Sequence, residues 1–537
     1  MSAIYAVPRA TAPIDLYLDS NEGARPAAGL LECVDPVNAL RRYPDTAPLE
    51  GLLANKLGIG ADRVLVTAGG DDAIDRLCRV WLDPMAKLVL PMPCFEMVPR
   101  YARLTGADII EVPWATDAFP VEDALAVFDP AVIVITSPNN PTGAVVTVDE
   151  LRRLSEEAPN ALLLVDLAYA EFADDDLTAA ALELDNAVVI RTLSKAWGLA
   201  GLRVGYALGS PENIARMRAV GPPYAVSGIS LSVAIAALGQ VSSMTTYVSS
   251  VRREREALQS VLSDLGAAPR RSQGNFVFAK VSNPLWIRDA LAGLGIAIRA
   301  FPGRPGLERA IRVTCPGDQP VFERLEGALR AALAPQALLF DMDGVLVDVS
   351  QSYRVAICET AASFGVQVTA ADICAAKANG DANNDWILTA ELIRRAGVRV
   401  SLEEVTAVFE ARYQGGLWLR ERPLVSAEVL RRLADRLPLG IVTGRPRADA
   451  ERFLNSEGLT DLFGVVVTME DAAAKPDPAP VCLALSSLNV ERAWMVGDTV
   501  DDVRAAKAAG VVPIGFGGAL PEAARVLSEL AELEGLL

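Results

Sequence analysis

The chain contains no histidine among its 537 residues. This absence excludes Ser-His-Asp triads, Cys-His catalytic pairs and metal sites that use imidazole ligands. The seven cysteines are scattered, without the paired spacing of a metal site or a disulfide framework. General acid–base chemistry in this protein must therefore use lysine, aspartate, glutamate or tyrosine side chains.

Positive charge and long apolar runs are also scarce. Lys and Arg number 50 against 68 Asp and Glu, for a formal net charge of −18. Nucleic acid is not an expected partner, because phosphate backbones attract basic surfaces. Apolar runs such as residues 132–135 and 162–165 have strand length, far below the roughly 20 residues of a membrane span. The N-terminus lacks a signal- or transit-peptide pattern, so we expect a cytoplasmic protein without a membrane partner.

Apolar segments of strand length alternate with amphipathic helical stretches, which predicts a parallel α/β architecture. A predicted helix over residues 321–333 ends at Pro335, because proline stops a helix and a new buried strand follows at once. We therefore predict two domains, residues 1–334 and 337–537. The predicted strands of the first are 63–67, 88–91, 131–136, 161–166 and 187–192, and those of the second are 337–341, 439–443, 465–468, 493–497 and 512–516.

A lysine follows a predicted strand in the small-residue-rich segment from Arg191 to Tyr206. Lys195 there can form a Schiff base with an aldehyde cofactor, while Ser194 and Arg203 can hold a phosphate. A Ser-Lys pair alone is weak evidence, since a surface lysine is the ordinary interpretation. Three further segments are needed to support a cofactor site.

These segments supply an acid, a polar turn and a glycine-rich turn. Asp166 ends an apolar strand, where a carboxylate needs a cation such as a protonated pyridine nitrogen. Asn140 lies in Ser137-Pro-Asn-Asn140-Pro-Thr-Gly143, and Tyr169 follows Asp166 closely. The turn Thr67-Ala-Gly69-Gly70-Asp71 offers backbone N–H groups to a phosphate, although many such turns bind nothing.

In this order, the motifs resemble those of fold-type I aminotransferases, most closely the histidinol-phosphate aminotransferase branch, over roughly residues 10–334. The resemblance implies a large three-layer domain, a small domain and pyridoxal 5′-phosphate. It also implies that Lys195 is the Schiff-base lysine and proton shuttle, and that Asp166 pairs with the ring nitrogen. The other implied cofactor contacts are Asn140 and Tyr169 at the ring hydroxyl, Phe95 stacked on the ring, and Gly70, Asp71, Ser194 and Arg203 around the phosphate.

The same resemblance implies contacts to substrate and to a second subunit. Tyr43 matches a tyrosine that reaches the neighbouring subunit's cofactor phosphate, so a homodimer is implied. Arg312 matches an arginine that binds the substrate anion, with Arg299 assisting; exposed strand-end charge is the alternative. Two features depart from the family pattern, the segment around Asn21 and the serine at Ser227, and both bear on the choice of substrate.

The second half contains an ordered set of carboxylates. Asp341 and Asp343 follow a predicted strand, and the later segments Thr443-Gly444-Arg445, Lys475-Pro476 and Gly497-Asp498-Thr-Val-Asp501-Asp502 supply a hydroxyl, an ammonium and further acids. A hydroxyl and an ammonium can stabilise a transferring phosphoryl group. Carboxylate oxygens suit magnesium.

This set resembles the haloacid-dehalogenase superfamily, subfamily IA, over about residues 337–537. The resemblance implies a Rossmann-like domain with a helical cap over about residues 350–422, and phosphatase activity with Mg²⁺. Asp341 is the implied nucleophile and Asp343 the implied general acid and base. Thr443 and Lys475 would bind the phosphoryl group, and the implied metal site comprises Asp341, the backbone carbonyl of Asp343, Asp498 and Asp502. Four cap residues are candidate substrate contacts, with a solvated helix end as the alternative: Lys377, Asn379, Asp381 and Trp386.

Together the two halves predict a bifunctional enzyme of histidine biosynthesis. It would convert imidazole-acetol phosphate and glutamate into histidinol phosphate and 2-oxoglutarate, and then hydrolyse histidinol phosphate. Three alternatives remain open. The first half could be a decarboxylase or an aminotransferase for another phosphorylated amine, the second half could be a phosphomutase, or one half could be a non-catalytic regulatory domain.

Overall fold

A computed structural model describes residues 7–23, 25–26, 28–378 and 384–537, with the side chains of residues 377 and 378 left out. Asn379 and Asp381, and the side chain of Lys377, therefore lie outside what it describes. The chain divides into two compact units, one built mainly from Leu18–Ser282 and Ile298–Glu323, the other from Arg9–Tyr17, Asn283–Ala297 and Arg324–Leu537. The boundary between residues 334 and 337 stays a prediction, because the second unit also takes in residues 283–297.

The strands of the described residues are, in chain order, β1 (Leu16–Leu18), β2 (Val64–Thr67), β3 (Lys87–Met92), β4 (Asp108–Pro113), β5 (Val132–Thr136), β6 (Leu162–Asp166), β7 (Ala187–Thr192), β8 (Gly205–Gly209), β9 (Ala268–Pro269), β10 (Phe276–Lys280), β11 (Ile296–Ala300), β12 (Ala310–Thr314), β13 (Ala337–Phe340), β14 (Val347–Asp348), β15 (Arg422–Pro423), β16 (Leu439–Val442), β17 (Phe463–Val467), β18 (Ala493–Gly497), β19 (Val512–Phe516) and β20 (Arg525–Leu527).

The α-helices are α1 (Pro36–Arg41), α2 (Ala47–Leu57), α3 (Gly69–Trp81), α4 (Met97–Thr105), α5 (Val121–Leu125), α6 (Val148–Glu157), α7 (Thr178–Leu182), α8 (Pro211–Val220), α9 (Gly228–Leu238), α10 (Val241–Asp264), α11 (Pro284–Gly293), α12 (Gln319–Leu333), α13 (Tyr353–Ser363), α14 (Ala370–Ala378), α15 (Asp385–Arg395), α16 (Leu402–Gln414), α17 (Ala427–Ala434), α18 (Arg447–Ser456), α19 (Ala479–Leu488), α20 (Val500–Ala508) and α21 (Leu533–Leu536).

The first unit is centred on a seven-stranded sheet of order β2-β8-β7-β6-β5-β3-β4. Its strands are parallel except β8, which is antiparallel to both neighbours. The sequence predicted a parallel arrangement, and β8 departs from it because residues 193–204 hold only a short 3₁₀ turn. A parallel return needs a longer crossover, usually a helix. The central strands are buried along their whole length, as expected for a sheet covered on both faces.

A smaller sheet has the order β1-β11-β12-β10-β9, and strands β9 to β12 pair antiparallel. Its register places Arg299 of β11 opposite Arg312 of β12. The predicted combination of a large and a small domain is thereby confirmed, and the two predicted substrate-binding arginines are brought side by side.

The second unit has a six-stranded parallel sheet of order β17-β16-β13-β18-β19-β20. Helices α13 to α16 form the helical cap that the sequence predicted between the first two motifs. The antiparallel pair of β14 and β15 lies where the chain enters and leaves this cap.

Helix α11 packs against β19 and β20 within the second unit. Trp286 of α11 and Trp494 of β18 meet edge to face with ring centroids 4.7 Å apart. The Trp494 indole N–H donates to the Ala331 carbonyl at 2.9 Å, and Arg525 pairs with Asp289 at 3.4 Å. Both tryptophans are almost fully buried, so this contact is part of the core of the unit.

Within the described ranges, no single helix is long and apolar enough to cross a membrane. The bent pair α9 and α10, at 77° to each other, meets the length and composition criteria only when the two are taken together.

Candidate active sites

A cleft opens in the first unit, at the carboxyl ends of the parallel strands. Eleven of the twelve residues predicted for the cofactor and substrate line it: Gly70, Asp71, Phe95, Asn140, Asp166, Tyr169, Ser194, Lys195, Arg203, Arg299 and Arg312. Ligands of open α/β sheets bind in this position, because the strand-to-helix turns meet there.

Asp166 ends β6, in register with Thr136 of β5, and its side chain is buried. One carboxylate oxygen accepts a hydrogen bond from the Ala168 N–H at 3.1 Å. Burial raises the pKa of this carboxyl to about 6, although the Ala168 hydrogen bond lowers it in part. A cationic ring nitrogen beside it would offset the cost of burying the charge, so Asp166 fits its predicted partner.

The Lys195 side chain is held at the same cleft. Its Nζ donates to the Ser20 carbonyl at 3.1 Å and lies 5.6 Å from the centroid of the Tyr169 ring. Lys195 and Asp166 line the same cleft, so the amine fits a site for an aldehyde cofactor.

A phosphate cradle is formed where α3 begins. Gly69 has φ +80°, and a Cβ there would lie 2.7 Å from Nη2 of Arg203. A Cβ on Gly205 would lie 2.5 Å from the Gly69 carbonyl carbon, so neither glycine tolerates a side chain. Arg203 pairs with Asp71 at 3.0 Å. Helix N–H groups, the guanidinium and the Ser194 hydroxyl together fit the phosphate of the predicted cofactor.

Hydrogen bonds order the opposite side of the cleft. The Asn21 amide donates to the Tyr169 hydroxyl at 3.0 Å. Arg312 donates to the Asn140 side-chain oxygen and, at 2.7 Å, to the Asp19 carbonyl. The two residues predicted for the ring hydroxyl are thus held by neighbours, and Asn21, from the segment that departs from the family pattern, is buried among them.

Three charged residues lie together at the cleft: Arg299, which was predicted from the sequence, and Glu96 and Arg304, which were not. Glu96 accepts from Arg299 at 2.8 Å and also pairs with Arg304. Arg299 is buried, and within the described chain its Nη1 has no hydrogen-bond partner. A buried donor of this kind favours an anionic ligand. Glu96 follows the predicted ring-stacking Phe95 directly, which was the available signal.

Tyr43 does not line the cleft of its own chain in the described part of the structure. Its side chain is 79% exposed and stacks on Tyr224, with centroids 4.4 Å apart. Its role toward a second subunit stays a prediction. Ser227 caps helix α9 by accepting from the Ser230 N–H at 3.1 Å, which gives this residue a structural role.

The second site lies in the second unit, at the carboxyl edge of the six-stranded sheet. The Lys475 ammonium donates to Asp341 at 2.7 Å, to the Val442 carbonyl at 3.0 Å, and to Asp502. Burial, together with the neighbouring acids, raises the pKa of Asp341 well above its usual range, although Lys475 lowers it in part. The predicted nucleophile and the predicted phosphoryl-binding lysine are thus in direct contact.

Three carboxylates of this site form a candidate metal centre. Ligand oxygens of Asp341, Asp498 and Asp502 lie within 4.8 Å of one another. Gly344 has φ +77° and approaches so closely that a Cβ there would lie 2.1 Å from Asp498 Oδ2. Lys475 is the single ammonium beside these three carboxyl groups, and hard oxygen donors suit Mg²⁺. The donor set therefore fits this ion.

The Asp343 side chain points elsewhere, to the Arg445 Nε. Its predicted place in the metal site rests on its backbone carbonyl and stays a prediction. The Thr443 hydroxyl accepts from the Arg445 N–H at 3.2 Å, and Asp502 also accepts from Thr499, at 2.6 Å from its hydroxyl. Sequence reasoning missed the contact between Asp343 and Arg445, although Arg445 belongs to the motif that was recognised.

Two family models match the two halves of the chain. Residues 37–329 match the model for aminotransferase class I and II, and residues 335–510 match haloacid dehalogenase-like hydrolase. A relative named histidinol-phosphate aminotransferase 1, from Trichormus variabilis, is 34% identical over 323 residues, which are 58% of this chain and 90% of the relative. The solved histidinol-phosphate aminotransferase of Sinorhizobium meliloti, in complex with pyridoxal-5′-phosphate, shares the fold with a TM-score of 0.54 and 24% identity, over 59% of this chain and 92% of that one.

A second relative has a different name. A protein of Phytophthora nicotianae named imidazoleglycerol-phosphate dehydratase is 51% identical over 193 residues, which are 34% of this chain and only 43% of that protein. The chain thus spans less than half of this relative. Since the first family model covers more than half of the chain, the chain belongs to the class I and II aminotransferase family, and a haloacid dehalogenase-like hydrolase domain follows in the same polypeptide.

Proposed function

We propose that this chain catalyses two consecutive steps of histidine biosynthesis. The first transfers an amino group from glutamate to imidazole-acetol phosphate, giving histidinol phosphate and 2-oxoglutarate. The second hydrolyses histidinol phosphate to histidinol and inorganic phosphate. One observation carries the proposal: a cleft rich in arginine, lined by eleven of the twelve predicted residues, and a carboxylate-lined hydrolase site occur on one chain.

The names of the relatives support this choice of substrate. One is a histidinol-phosphate aminotransferase by name, and another is an imidazoleglycerol-phosphate dehydratase. Loss of water from an imidazoleglycerol phosphate leaves an imidazole-acetol phosphate, which is the keto substrate proposed here.

Four groups of the first site would hold pyridoxal 5′-phosphate: Asp166 at the ring nitrogen, Asn140 and Tyr169 at the ring hydroxyl, and the cradle around Arg203 at the phosphate. When bound, this cofactor withdraws electrons from the substrate carbon that loses a proton. Lys195 Nζ would carry that proton between the substrate carbon and the aldehyde-derived carbon of the cofactor. Arg299 and Arg312 bind the anionic group of the substrate and orient it toward Lys195.

In the second site, Asp341 attacks the phosphorus atom while Lys475 neutralises charge on the phosphoryl oxygens and the Thr443 hydroxyl donates a hydrogen bond to them. Asp343 gives a proton to the leaving oxygen as its bond to phosphorus breaks. Asp343 then takes a proton from the water that releases phosphate and restores Asp341. Mg²⁺, held by Asp341 and Asp498 with Asp502 nearby, would neutralise negative charge and orient the phosphate.

A homodimer is part of the proposal. Four apolar side chains that follow one another along the N-terminal segment are largely exposed, at 70%, 67%, 75% and 79% respectively: Leu31, Val37, Leu40 and Tyr43. Clustered apolar exposure of this kind is typical of a surface that another chain covers. A cytoplasmic location is proposed as well, since the expected substrates are soluble metabolites.

The proposal is tested with the full-length protein, histidinol phosphate, 2-oxoglutarate and Mg²⁺, by measuring glutamate and inorganic phosphate in the same reaction. Both products are expected, and EDTA should suppress only phosphate. Lys195→Ala should remove glutamate alone, and Asp341→Asn should remove phosphate alone. If neither product forms from histidinol phosphate, the proposed substrate is wrong. A bisphosphate requirement for the second activity would instead reveal a phosphomutase.

A further inference from the structure

A buried arginine of the second unit contacts the predicted general acid–base directly. The Arg445 side chain is 1% exposed, and its Nε donates to Oδ1 of Asp343. Its two terminal nitrogens form a bidentate pair with Glu421, at 3.0 Å and 3.2 Å. The guanidinium also lies 4.9 Å from the centroid of the Tyr353 ring. Each of its three nitrogens thus has a carboxylate partner, which fixes the guanidinium plane.

Glu421 links this arginine to both connections of the cap. Its Oε1 accepts from the Ser352 hydroxyl at 3.1 Å and from the Tyr413 hydroxyl at 3.0 Å. Ser352 follows β14, where the chain enters the cap, and Tyr413 lies on α16, the last cap helix. Glu421 itself directly precedes β15, where the chain returns. One hydrogen-bonded network therefore extends from the cap connections to Asp343.

We propose that Arg445 is a positioning residue for Asp343 and that Glu421 couples this position to the cap. Because Arg445 occupies Oδ1, the transferred proton resides on Oδ2 of Asp343. That proton passes to the leaving oxygen as the phosphorus–oxygen bond breaks and the bond to Asp341 forms. The proton from the attacking water then returns to Oδ2 as Asp341 is released. Arg445 exchanges no proton itself. The inference rests on the proposed phosphatase activity.

The proposed role of Arg445 also predicts how the rate should depend on the leaving group. An alkyl phosphate such as histidinol phosphate needs a proton on its leaving oxygen, whereas 4-nitrophenyl phosphate does not. Misplacing Asp343 should therefore slow the first step only for the alkyl ester. The second step, in which water attacks, needs Asp343 for both substrates. With 4-nitrophenyl phosphate the phosphorylated enzyme should then accumulate.

The test uses Arg445→Met in the full chain. Removing one member of a buried ion pair leaves Glu421 without its partner and is destabilising, so the double variant Arg445→Met/Glu421→Gln is made beside it. We expect kcat for histidinol phosphate to fall by about 100-fold or more in the folded variant, with little change in KM. With 4-nitrophenyl phosphate we expect a burst of about one equivalent of nitrophenol before slow turnover. Arg445→Lys should restore part of the rate, and the thermal midpoint of the second unit reports on folding.

A double-mutant cycle with Asp343→Asn decides the mechanism. If Arg445 acts through Asp343, adding Arg445→Met to Asp343→Asn should cause no further loss. Additive losses, or equal losses on both substrates without a burst, would overturn the inference. If the unaltered chain hydrolyses neither phosphomonoester, the proposed function itself fails, and that outcome is distinct from an active chain whose losses are additive.

Discussion

The ammonium of Lys475 lies 2.7 Å from Oδ1 of Asp341 and also contacts Asp502, so one buried cation joins the predicted nucleophile to the first turn of helix α20. Both carboxylates depend on it, because each is almost fully buried.

Replacing Lys475 with Met should therefore affect chemistry and stability together. We expect phosphate release to fall by about 10²- to 10³-fold, as for the loss of one stabiliser of a phosphoryl group. The unpaired carboxylates should cost the second unit about 3–5 kcal/mol of unfolding free energy. Phosphate release and the thermal midpoint measure the two effects. Transamination that remains at the original rate is the internal control, and unchanged phosphate release would contradict the assignment of Lys475.

Asp166 gives the cofactor-free protein a pH-dependent stability. Its pKa is about 6 in the folded chain against 3.8 in the unfolded chain, so the folded form binds the proton more tightly. The contribution of Asp166 to the free energy of unfolding is therefore fully present below about pH 4. It is lost as the pH rises through 6 and amounts to about 3 kcal/mol. We expect cofactor-free Asp166→Asn to be more stable than the original at pH 7 and nearly equal to it at pH 4. Denaturation at both pH values measures this, and a difference that is independent of pH would be evidence against it.

Arg299 is predicted to select anionic substrates. Its Nη1 is buried without a hydrogen-bond partner among the described residues, and an incoming anion would satisfy it. A hydrogen bond to a charged group contributes about 1.5–3 kcal/mol, so Arg299→Met should lower kcat/KM for histidinol phosphate by about 10- to 100-fold. Arg271→Met is the matched control, since that side chain is 77% exposed. Equal kinetics in the two variants would remove Arg299 from the substrate site.

Trp494 should be essential to the second unit. Its ring packs on Trp286 and its indole N–H bonds to Ala331, and both partners come from before residue 337. Trp494→Ala should cost about 3–5 kcal/mol, as for a large buried aromatic. A fragment of residues 337–537 lacks both partners and should be less stable than the same residues in the full chain. Denaturant unfolding of the two forms is the measurement, and equal midpoints would show that residue 337 begins an independent domain.

The sequence predicted the central strands well, because runs such as residues 132–135 and 162–165 are apolar throughout and bounded by turns. Asp166, Lys195 and Asp341 were noticed because they lie at or just after the ends of such strands, whereas the roles of Phe95, Arg299 and Arg312 were implied only by the family resemblance. The antiparallel direction of β8 was not predicted, because an apolar run of strand length does not show in which direction the strand runs in the sheet. The contacts of Arg445 and Arg304 were also missed, since a partner distant along the chain leaves no local signal.

The place of helix α11 in the second unit has a consequence for how the protein is made. The helix ends at Gly293, whereas β19, a strand against which it packs, begins at Val512, about 220 residues later. At roughly 5–20 residues per second, a ribosome needs about 10–45 s to bridge that distance. Throughout that interval the apolar face around Trp286 has left the ribosome without the surface that it finally covers. A nascent chain of this protein is therefore open to chaperone capture late in its synthesis, and a stop codon shortly after residue 334 would leave that face uncovered for good.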